Sequence, residues 1–274
     1  MKKYFFGVSL LAFLSLAVNR LRRGMGAALL LTGLPGSGKT SFAKAMAAEL
    51  GAGFHYYSCT PNKQRDLLFD FDVSGIIKRE NAWLKGPAWQ AFEESAKGKF
   101  AVLLIDEIDK ASQDFDAFLL RLLEEWSFAS PEGEAKADPS RIAVVITSNG
   151  RRKLRPEVLR RCQRIHVEVP TGDRLREIIL QEAGRAVPKG LLDLVVRMGE
   201  AVRKASEESA PSPKEMAHCI VDLLCLAESG CHDAEVWGEV AVSYLVKKGG
   251  GAALGQAVGF KKWTRALMSE SMKQ

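Results

Sequence analysis

Short apolar runs alternate with amphipathic stretches along the first two thirds of the chain. Continuous apolar runs bounded by polar or turn residues are typical of strands buried in a parallel sheet. Such strands are predicted at 29–31, 54–58, 100–105, 142–147 and 164–169. Helical spacing follows at 41–50, 88–97, 115–125 and 156–161, whereas 60–87 has no clean period and 131–140 reads as a polar loop. The pattern predicts an α/β fold, a doubly wound three-layer αβα domain with a five-stranded parallel sheet.

From Asp173 onwards the pattern changes to helical periods alone. Helices are predicted at 173–186, 189–207, 213–229 and 232–248, with a Ser- and Pro-containing linker at 207–213. Gly249-Gly-Gly251 ends this part of the chain. We therefore expect an α/β domain at 1–172, a small all-α domain at 173–248 and a tail at 249–274.

The turn after the first strand carries the pattern G-x-x-x-x-G-K-[ST], complete from Gly33 to Thr40. A strand before it and a helix after it are the context that this motif requires. Glycines let the backbone N–H groups converge on phosphate oxygens, behind which the new helix places its positive end. Lys39 would contact the β- and γ-phosphates, and the Thr40 hydroxyl would ligate Mg²⁺. The predicted nucleotide-binding residues are Gly33, Pro35, Gly36, Ser37, Gly38, Lys39, Thr40 and Ser41.

Polar side chains also end two of the other predicted strands. Asp106 and Glu107 follow the strand at 100–105, and Asn149 follows the strand at 142–147. An acid beside a phosphate loop can hold Mg²⁺ through water, the role predicted for Asp106. Glu107 would take a proton from an attacking water, which the Asn149 amide would orient. The sequence thus predicts Mg²⁺-dependent hydrolysis of a nucleoside triphosphate, without distinguishing ATP from GTP.

Composition constrains the compartment more than the function. Of the 274 residues, 47% are hydrophobic and 26% are charged, as in soluble globular proteins. The net charge of +6 is only a weak sign of an anionic partner. The five cysteines are scattered, without a C-x-x-C pair, which favours reduced thiols. We therefore expect a cytoplasmic location.

The first 23 residues contain an apolar segment, Tyr4–Val18, behind two lysines. This order resembles a secretory signal peptide, but the basic run Asn19–Arg23 follows without a small-residue cleavage site. The segment is also shorter than the roughly 20 residues that a membrane-spanning helix needs. We expect an apolar leading helix at 1–23, packed beside the nucleotide site; a membrane anchor is the alternative.

Together these motifs resemble the AAA+ ATPases and, within them, the MoxR-like group. The resemblance covers about residues 10–245 and is carried, in family order, by Gly33–Thr40, Leu103–Lys110, Ile146–Asn149 and Arg155–Cys162. The leading helix also resembles the helix that precedes the phosphate loop in that group. Segment 60–87 lies where the group has an insert in its second helix, and 130–140 lies where it has a hairpin.

The resemblance implies a P-loop NTPase fold with a helical lid domain, and a ring, commonly a hexamer, that shares its ATP sites between neighbours. Arg161, or Arg160 as second choice, would be the arginine finger that reaches the next subunit's γ-phosphate. The second sensor of the family is usually an arginine at the start of a lid helix. Here Lys214 stands at the matching place and lacks the bidentate geometry of a guanidinium.

The resemblance also implies chaperone-like remodelling of a protein client, which the sequence does not identify. Other functions stay open. A nucleic-acid motor or loader would use a basic cluster, although a solvated or interface loop is favoured for 151–155. A small-molecule kinase would need neither Asn149 nor a neighbour's arginine. A scaffold that binds ATP but rarely hydrolyses it is disfavoured, because Glu107 is present. The basic cluster comprises Arg151, Arg152, Lys153, Arg155, Arg160, Arg161 and Arg164.

Overall fold

The structure, a computed structural model, describes residues 8–61, 64–71, 83–206, 210–231 and 233–246, together with 265, 266 and 269. The chain divides into two compact units. The sheet unit consists of Met1–Gly33 and Gly38–Glu168, and the helical unit consists of Leu34–Ser37 and Val169–Gln274. The middle of the predicted phosphate loop is therefore grouped with the helical unit.

A five-stranded parallel sheet forms the centre of the sheet unit, as the sequence predicts. Its strands are β1 (Ala27–Thr32), β2 (Gly53–Ser58), β5 (Ala101–Asp106), β8 (Ile142–Ser148) and β9 (Gln163–His166). They lie in the order β2-β5-β8-β1-β9, and every neighbouring pair is parallel. The carboxyl ends of parallel strands meet at one edge of a sheet. The phosphate loop after β1, the acids after β5 and Asn149 after β8 therefore lie at the same edge.

Helices cover both faces of this sheet because successive strand residues point to opposite sides. The helices are α1 (Val8–Arg22), α2 (Lys39–Leu50), α3 (Pro87–Ala96), α4 (Asp114–Glu125) and α5 (Pro156–Arg161). Leu29 and Leu31 of β1 join a buried cluster with α1 and α2. Leu30 joins the opposite cluster with α3, α4 and α5. The predicted three-layer arrangement follows from this alternation.

The leading helix packs into the sheet unit along one side. Leu14, Ala17 and Leu21, at helical spacing, are buried in the cluster that includes Leu29 and Leu31. The Arg20 guanidinium donates to the Gly26 carbonyl at 3.0 Å, which holds the turn into β1. Within the described residues, no helix is both long and apolar enough to cross a bilayer.

Two hairpins interrupt the alternation of strands and helices. After a 3₁₀ turn at Gln64–Leu67, β3 (Phe69–Phe71) pairs antiparallel with β4 (Trp83–Lys85); residues 72–82 lie outside the described part. The second hairpin pairs β6 (Ser127–Ser130) with β7 (Gly133–Lys136). The residue pattern alone predicts a loop at 131–140, because that segment lacks apolar alternation, whereas the resemblance to the MoxR-like group indicates a hairpin at 130–140. The structure has the hairpin. Its backbone pairing is supplemented by two side-chain contacts: the Ser130 hydroxyl donates to the Gly133 carbonyl, and Ser127 donates to Glu134.

The last sheet strand is shorter than predicted. β9 ends at His166, not at residue 169, because its partner β1 ends at Thr32. The N–H of Val167 donates to the Thr32 carbonyl at 2.7 Å, and the ladder stops there. A strand cannot extend regular pairing beyond the end of its only neighbour.

The helical unit contains α6 (Gly172–Ala183), α7 (Lys189–Ala205), α8 (Pro213–Glu228) and α9 (Ala234–Leu245). Each lies at a predicted helical segment but is shorter at its carboxyl end. For α6 the reason is Gly184, whose left-handed backbone ends the helix at Ala183, three residues before the predicted end. A buried cluster that includes Leu175, Val195, Ile220 and Trp237 joins the four helices. Most of the predicted tail lies outside the described residues.

Phe92→Ala should lower the free energy of unfolding of the sheet unit by about 3–5 kcal/mol. Phe92 on α3 is fully buried, and its ring lies 5.3 Å from the ring of Phe128 on β6. The truncation removes that contact and leaves a cavity between the helix and the hairpin. Urea denaturation followed by circular dichroism measures the change. The exposed Leu16→Ala variant on α1 is the control and should leave the midpoint unchanged.

Candidate nucleotide site

The phosphate loop is shaped by glycines in the left-handed region. Gly36 has φ 77° and Gly38 has φ 97°, a conformation that costs other residues energy. Between them, the Ser37 N–H donates to the Leu34 carbonyl at 3.3 Å. Within the helical unit, a Cβ added to Gly36 would lie 2.7 Å from the Ser212 Cβ. Position 36 therefore has no room for a side chain.

Polar groups of the loop fit the phosphates of a nucleotide. Ser37 is buried, and its hydroxyl has no hydrogen-bond partner among the described residues. A buried polar atom of this kind is rare in folded proteins and indicates a missing partner. Lys39 is also buried at the start of α2, and its ammonium donates to the Gly33 carbonyl at 2.7 Å. Phosphate oxygens would satisfy the hydroxyl and pair with the cation.

The Lys39 ammonium interacts with three negatively charged side chains. Burial lowers the pKa of Lys39, and the negative charges of Asp106, Asp109 and Glu107 oppose that effect. Three acids close to one buried cation are an unusual concentration of charge in a protein interior. A polyanion bound at the loop would favour the charged form of the lysine further.

The Asp106 carboxylate at the end of β5 is contacted by three hydroxyl groups. The Thr40 hydroxyl lies 3.4 Å from each of its carboxylate oxygens. The Thr147 hydroxyl donates to Oδ1 at 2.5 Å, and the Tyr56 hydroxyl donates to Oδ2 at 3.3 Å. In the described part of the chain, no group of three or more His, Cys, Asp or Glu residues could hold a metal. Thr40 and Asp106 instead fit Mg²⁺, which is usually held by few protein oxygens together with substrate phosphates.

Glu107 has a backbone conformation that is rare for its residue type. Its φ of 55° and ψ of 51° are left-handed, and its N–H donates to the Thr147 hydroxyl at 2.8 Å. Non-glycine residues in this region are concentrated at functional sites. Its carboxylate accepts hydrogen bonds from Lys110 and, at 3.3 Å, from the Asn149 amide. The side chain is 33% exposed, so water reaches the carboxylate.

Asn149 is fixed by its own backbone as well as by Glu107. Its N–H donates to Asp109 Oδ1 at 2.9 Å. The structure thus brings Lys39, Thr40, Asp106, Glu107 and Asn149 together at one edge of the sheet. This grouping contains a buried cation, a hydroxyl and a carboxylate whose oxygens could ligate a metal ion, a second carboxylate open to water, and an amide beside it.

Other predicted site residues make no described contact with Asp106 or Glu107. Arg161 at the end of α5 pairs with Glu124 on α4 at 2.6 Å, and both side chains are exposed. Arg160 is exposed and forms no hydrogen bond or ion pair with a described residue. Lys214 is exposed one residue after Pro213, at the start of α8.

Thr147 and Tyr56 are site residues that sequence reasoning missed. The Thr147 hydroxyl binds both the Asp106 carboxylate and the Glu107 N–H. The sequence does offer a signal for it, since Thr147 is a polar residue near the end of an otherwise apolar strand. Tyr56 leaves no such signal, because its contact depends on the pairing of β2 with β5. Cys59 is also close: burial raises the pKa of its thiol to about 12, so the thiol stays neutral.

The loop predicted for 151–155, solvated or at an interface, is present, but within it the Arg152 side chain is mostly buried. Its guanidinium donates to both carboxylate oxygens of Asp116, at 3.0 and 2.8 Å. The Asp116 side chain is completely buried, and that of Arg152 is 16% exposed. This ion pair could not be predicted from the sequence, because Arg152 and Asp116 lie far apart along the chain. The basic cluster therefore has one charge fewer to offer a nucleic acid.

Comparison with known families agrees with this geometry. Residues 28–164, half of the chain, match the family described as AAA domain (dynein-related subfamily). The chain belongs to the AAA domain family. The matched region extends from β1 to β9, and so contains the phosphate loop, both acids, Asn149 and the arginines of α5. Membership of the MoxR-like group stays a prediction.

Curated relatives of this AAA chain are chaperones and proteases. It is 24% identical over 262 residues to chaperone protein ClpC4, chloroplastic, from Oryza sativa subsp. japonica, covering 78% of the chain and 28% of that protein. It is 30% identical to chaperone protein ClpB 2 from Parasynechococcus marenigrum over 52% of the chain and 16% of that protein. Lon protease 1 from Bacillus subtilis is 32% identical over 49% of the chain and 18% of its own length. The chain thus spans less than a third of these relatives.

Among solved structures, NtrX from Brucella abortus in complex with ADP has the same fold in its matching part. The TM-score is 0.54 at 15% identity, covering 82% of this chain and 52% of that one. The P-loop NTPase fold of the AAA type predicted from the sequence is thereby confirmed.

Proposed function

We propose that this AAA chain binds Mg·ATP and hydrolyses it to ADP and phosphate. The observation that carries the proposal is the convergence of Asp106, Glu107 and Asn149 beside the buried Lys39. AAA family membership and the similarity to Clp and Lon proteins support hydrolysis of ATP in particular.

Each residue has a role that follows from its position. The loop N–H groups and the Lys39 ammonium would bind the phosphate oxygens. Thr40 and Asp106 would hold Mg²⁺, which neutralises the charge that develops on the phosphates. Glu107 would accept a proton from the attacking water, and the Asn149 amide beside its Oε1 would orient that water.

Glu107 can act as a base without losing its present contacts. An ionised carboxylate has about four acceptor sites on its two oxygens. Lys110 and Asn149 occupy one site on each oxygen. A free site on either oxygen is therefore available to a water molecule at the exposed side of the carboxylate.

We further propose that the chain assembles into a ring, a hexamer by resemblance, with an arginine of α5 completing the neighbour's site. Arg161 is the first choice. Its pair with Glu124 is exposed, and such pairs contribute only about 0–1 kcal/mol, so a phosphate of the neighbour could replace it. Arg160, exposed and with no described partner, is the alternative.

Lys214 is proposed as a second phosphate contact. The start of α8 is fixed by a capping box in which Ser212 and Glu215 bind each other's backbone. Ser212, the residue before this helix, lies against Gly36, and both residues belong to the helical unit. A lysine there supplies one point charge instead of the fork of an arginine.

The work that we propose for the ATPase is remodelling of a protein client in the cytoplasm, in the manner of the MoxR-like group. The Clp relatives named as chaperones support this direction. The client is not identified. The burial of Arg152 against Asp116 argues against a role for this part of the basic cluster in gripping nucleic acid.

The decisive test compares the wild type with Lys39→Met. Loss of the ammonium should weaken binding of a fluorescent ADP analogue by roughly 10- to 100-fold, the value of a charge-assisted hydrogen bond. ADP production, measured together with oligomer mass, should appear only with Mg²⁺ and stop with EDTA. The exposed Lys97→Met, directly after α3, is the matched control and should keep wild-type turnover.

Other outcomes would favour the alternatives. Turnover by a monomer that needs a phosphate acceptor would indicate a kinase. Stimulation by single-stranded DNA that weakens steeply with salt would indicate a nucleic-acid motor. Binding without turnover would indicate a nucleotide-gated scaffold. Equal turnover by Lys39→Met would show that the loop is not the site of hydrolysis.

A further inference from the structure

Asp116 is a completely buried carboxylate in the middle of the sheet unit. On α4, it accepts three hydrogen bonds, two from the terminal nitrogens of Arg152 and one, at 3.0 Å, from the Arg155 N–H. A buried charge is costly unless it is paired and hydrogen-bonded in this way. Four such acceptances are the most that a carboxylate can make, so Asp116 is nearly saturated. The proposed chemistry uses neither Asp116 nor Arg152.

The same guanidinium reaches the turn that carries Glu107. One terminal nitrogen of Arg152 donates to the Ile108 carbonyl at 3.3 Å, immediately after Glu107. On the other side, the Glu107 N–H is bound by Thr147. The left-handed backbone of Glu107 is thus held between two side-chain contacts. A strained conformation persists only where its surroundings fix it in this way.

The carboxylate also sets the start of α5. Arg155 precedes the first residue of this helix, and its N–H donates to Asp116. A helix of six residues is too short to be stable by itself, so its direction depends on tertiary contacts. The buried side chain of Val158 is its anchor in the core. Arg160 and Arg161 lie at the other end of the same helix.

We propose that Asp116 and Arg152 are positioning residues for ATP hydrolysis. Their ion pair fixes two elements relative to each other. Arg152 binds the turn that carries the chain's own Glu107, and Asp116 binds the start of the helix that carries Arg160 and Arg161. Replacing buried ion pairs by apolar residues of similar volume is often neutral for stability, so geometry is the better account of this one. The inference rests on the proposed ATPase activity.

Single variants test the pair first. Asp116→Asn and Arg152→Lys should lower kcat for ATP by about 10- to 100-fold, the cost of a displacement of about 1 Å in a catalytic group. The KM for ATP and the affinity for a fluorescent ADP analogue should stay near wild type, because neither residue is placed in the phosphate loop. Phe92→Leu on α3 is the control for destabilisation alone, and all variants are compared at a temperature where they are folded.

A double variant separates positioning from stability. Asp116→Leu combined with Arg152→Met removes both charges and leaves no buried charge unpaired. We expect its Tm to recover towards wild type while kcat stays low. Recovery of both Tm and kcat would overturn the proposal, because the pair would then be structural only. Single variants that lose no more kcat than Phe92→Leu would overturn it as well.

Amide hydrogen exchange supplies a readout that does not depend on turnover. Asp116→Asn should speed exchange at 108–110 and 155–161 at least tenfold, and Phe92→Leu should not. If the wild type itself fails to hydrolyse ATP, the proposed function is wrong, and unchanged exchange in these two segments would separately overturn the linkage. Unchanged exchange in an active enzyme would overturn the linkage alone.

Discussion

Glu107→Gln should lower the ATP turnover by about 10²- to 10⁴-fold, the usual contribution of a general base. Glutamine has the same size and keeps an acceptor for the Asn149 amide, but it cannot take a proton from water. ATP should still bind, because the phosphate loop is unchanged. Single-turnover hydrolysis and binding of a fluorescent ADP analogue measure the two effects on the same preparation.

Glu93→Gln provides a matched control for the Glu107 experiment. Glu93 on α3 is also a partly exposed acid that accepts from lysines, here Lys85 and Lys97. Its neutralisation removes a comparable surface ion pair without touching the site and should leave turnover unchanged. If Glu107→Gln keeps more than a tenth of wild-type turnover, another group accepts the proton, and Asp109 would be examined next.

Arg161→Ala should lower turnover by about 10³- to 10⁵-fold if Arg161 is the arginine that completes the neighbouring site. The reason is that the guanidinium stabilises charge that develops on the transferred phosphoryl group. Binding of ATP to the chain's own phosphate loop should not change. Arg160→Ala is measured in parallel, since Arg160 is the exposed alternative on the same helix.

Glu124→Gln separates the two roles of Arg161. It breaks the same exposed ion pair but leaves the arginine in place. We expect turnover close to wild type, because an exposed pair contributes only about 0–1 kcal/mol. Equal losses in Glu124→Gln and Arg161→Ala would mean that Arg161 acts through α4 within its own subunit.

Mixing the two inactive variants tests whether sites are shared. In a ring of Glu107→Gln and Arg161→Ala subunits, some interfaces combine an intact Glu107 with an intact Arg161. Such mixtures should regain part of the activity that each variant lacks alone. No recovery in a mixed ring, or full turnover by an Arg161→Ala monomer, would contradict a shared site.

Features that are local in the chain could be predicted from the order of its residues. The apolar runs fixed the five strands, since buried parallel strands need continuous hydrophobic segments. The motif of the predicted phosphate loop could be recognised because its glycines, Lys39 and Thr40 are contiguous in the sequence, between a strand and a helix. The proximity of Asp106, Glu107 and Asn149 was predictable because each lies at or just after the end of a strand and parallel strands end at a common edge.

Contacts between side chains on different helices and strands depend on tertiary packing and could not be predicted from the sequence. The contact of Tyr56 with Asp106 depends on the register of β2 on β5, which no local pattern encodes. The hairpin at 127–136 was expected from the family resemblance but not from the residue pattern, because the sequence there lacks the alternation that indicates a strand.

The arginines show the same limit most clearly. The sequence gives no basis for separating the arginines of the basic cluster from one another. In the structure, Arg152 is buried against Asp116, Arg161 pairs with Glu124 and Arg160 is exposed. The acidic partners come from α4, more than thirty residues earlier in the chain. A charge gains its role from the burial and the partners that packing brings to it, and these are properties of the folded molecule, not of a segment.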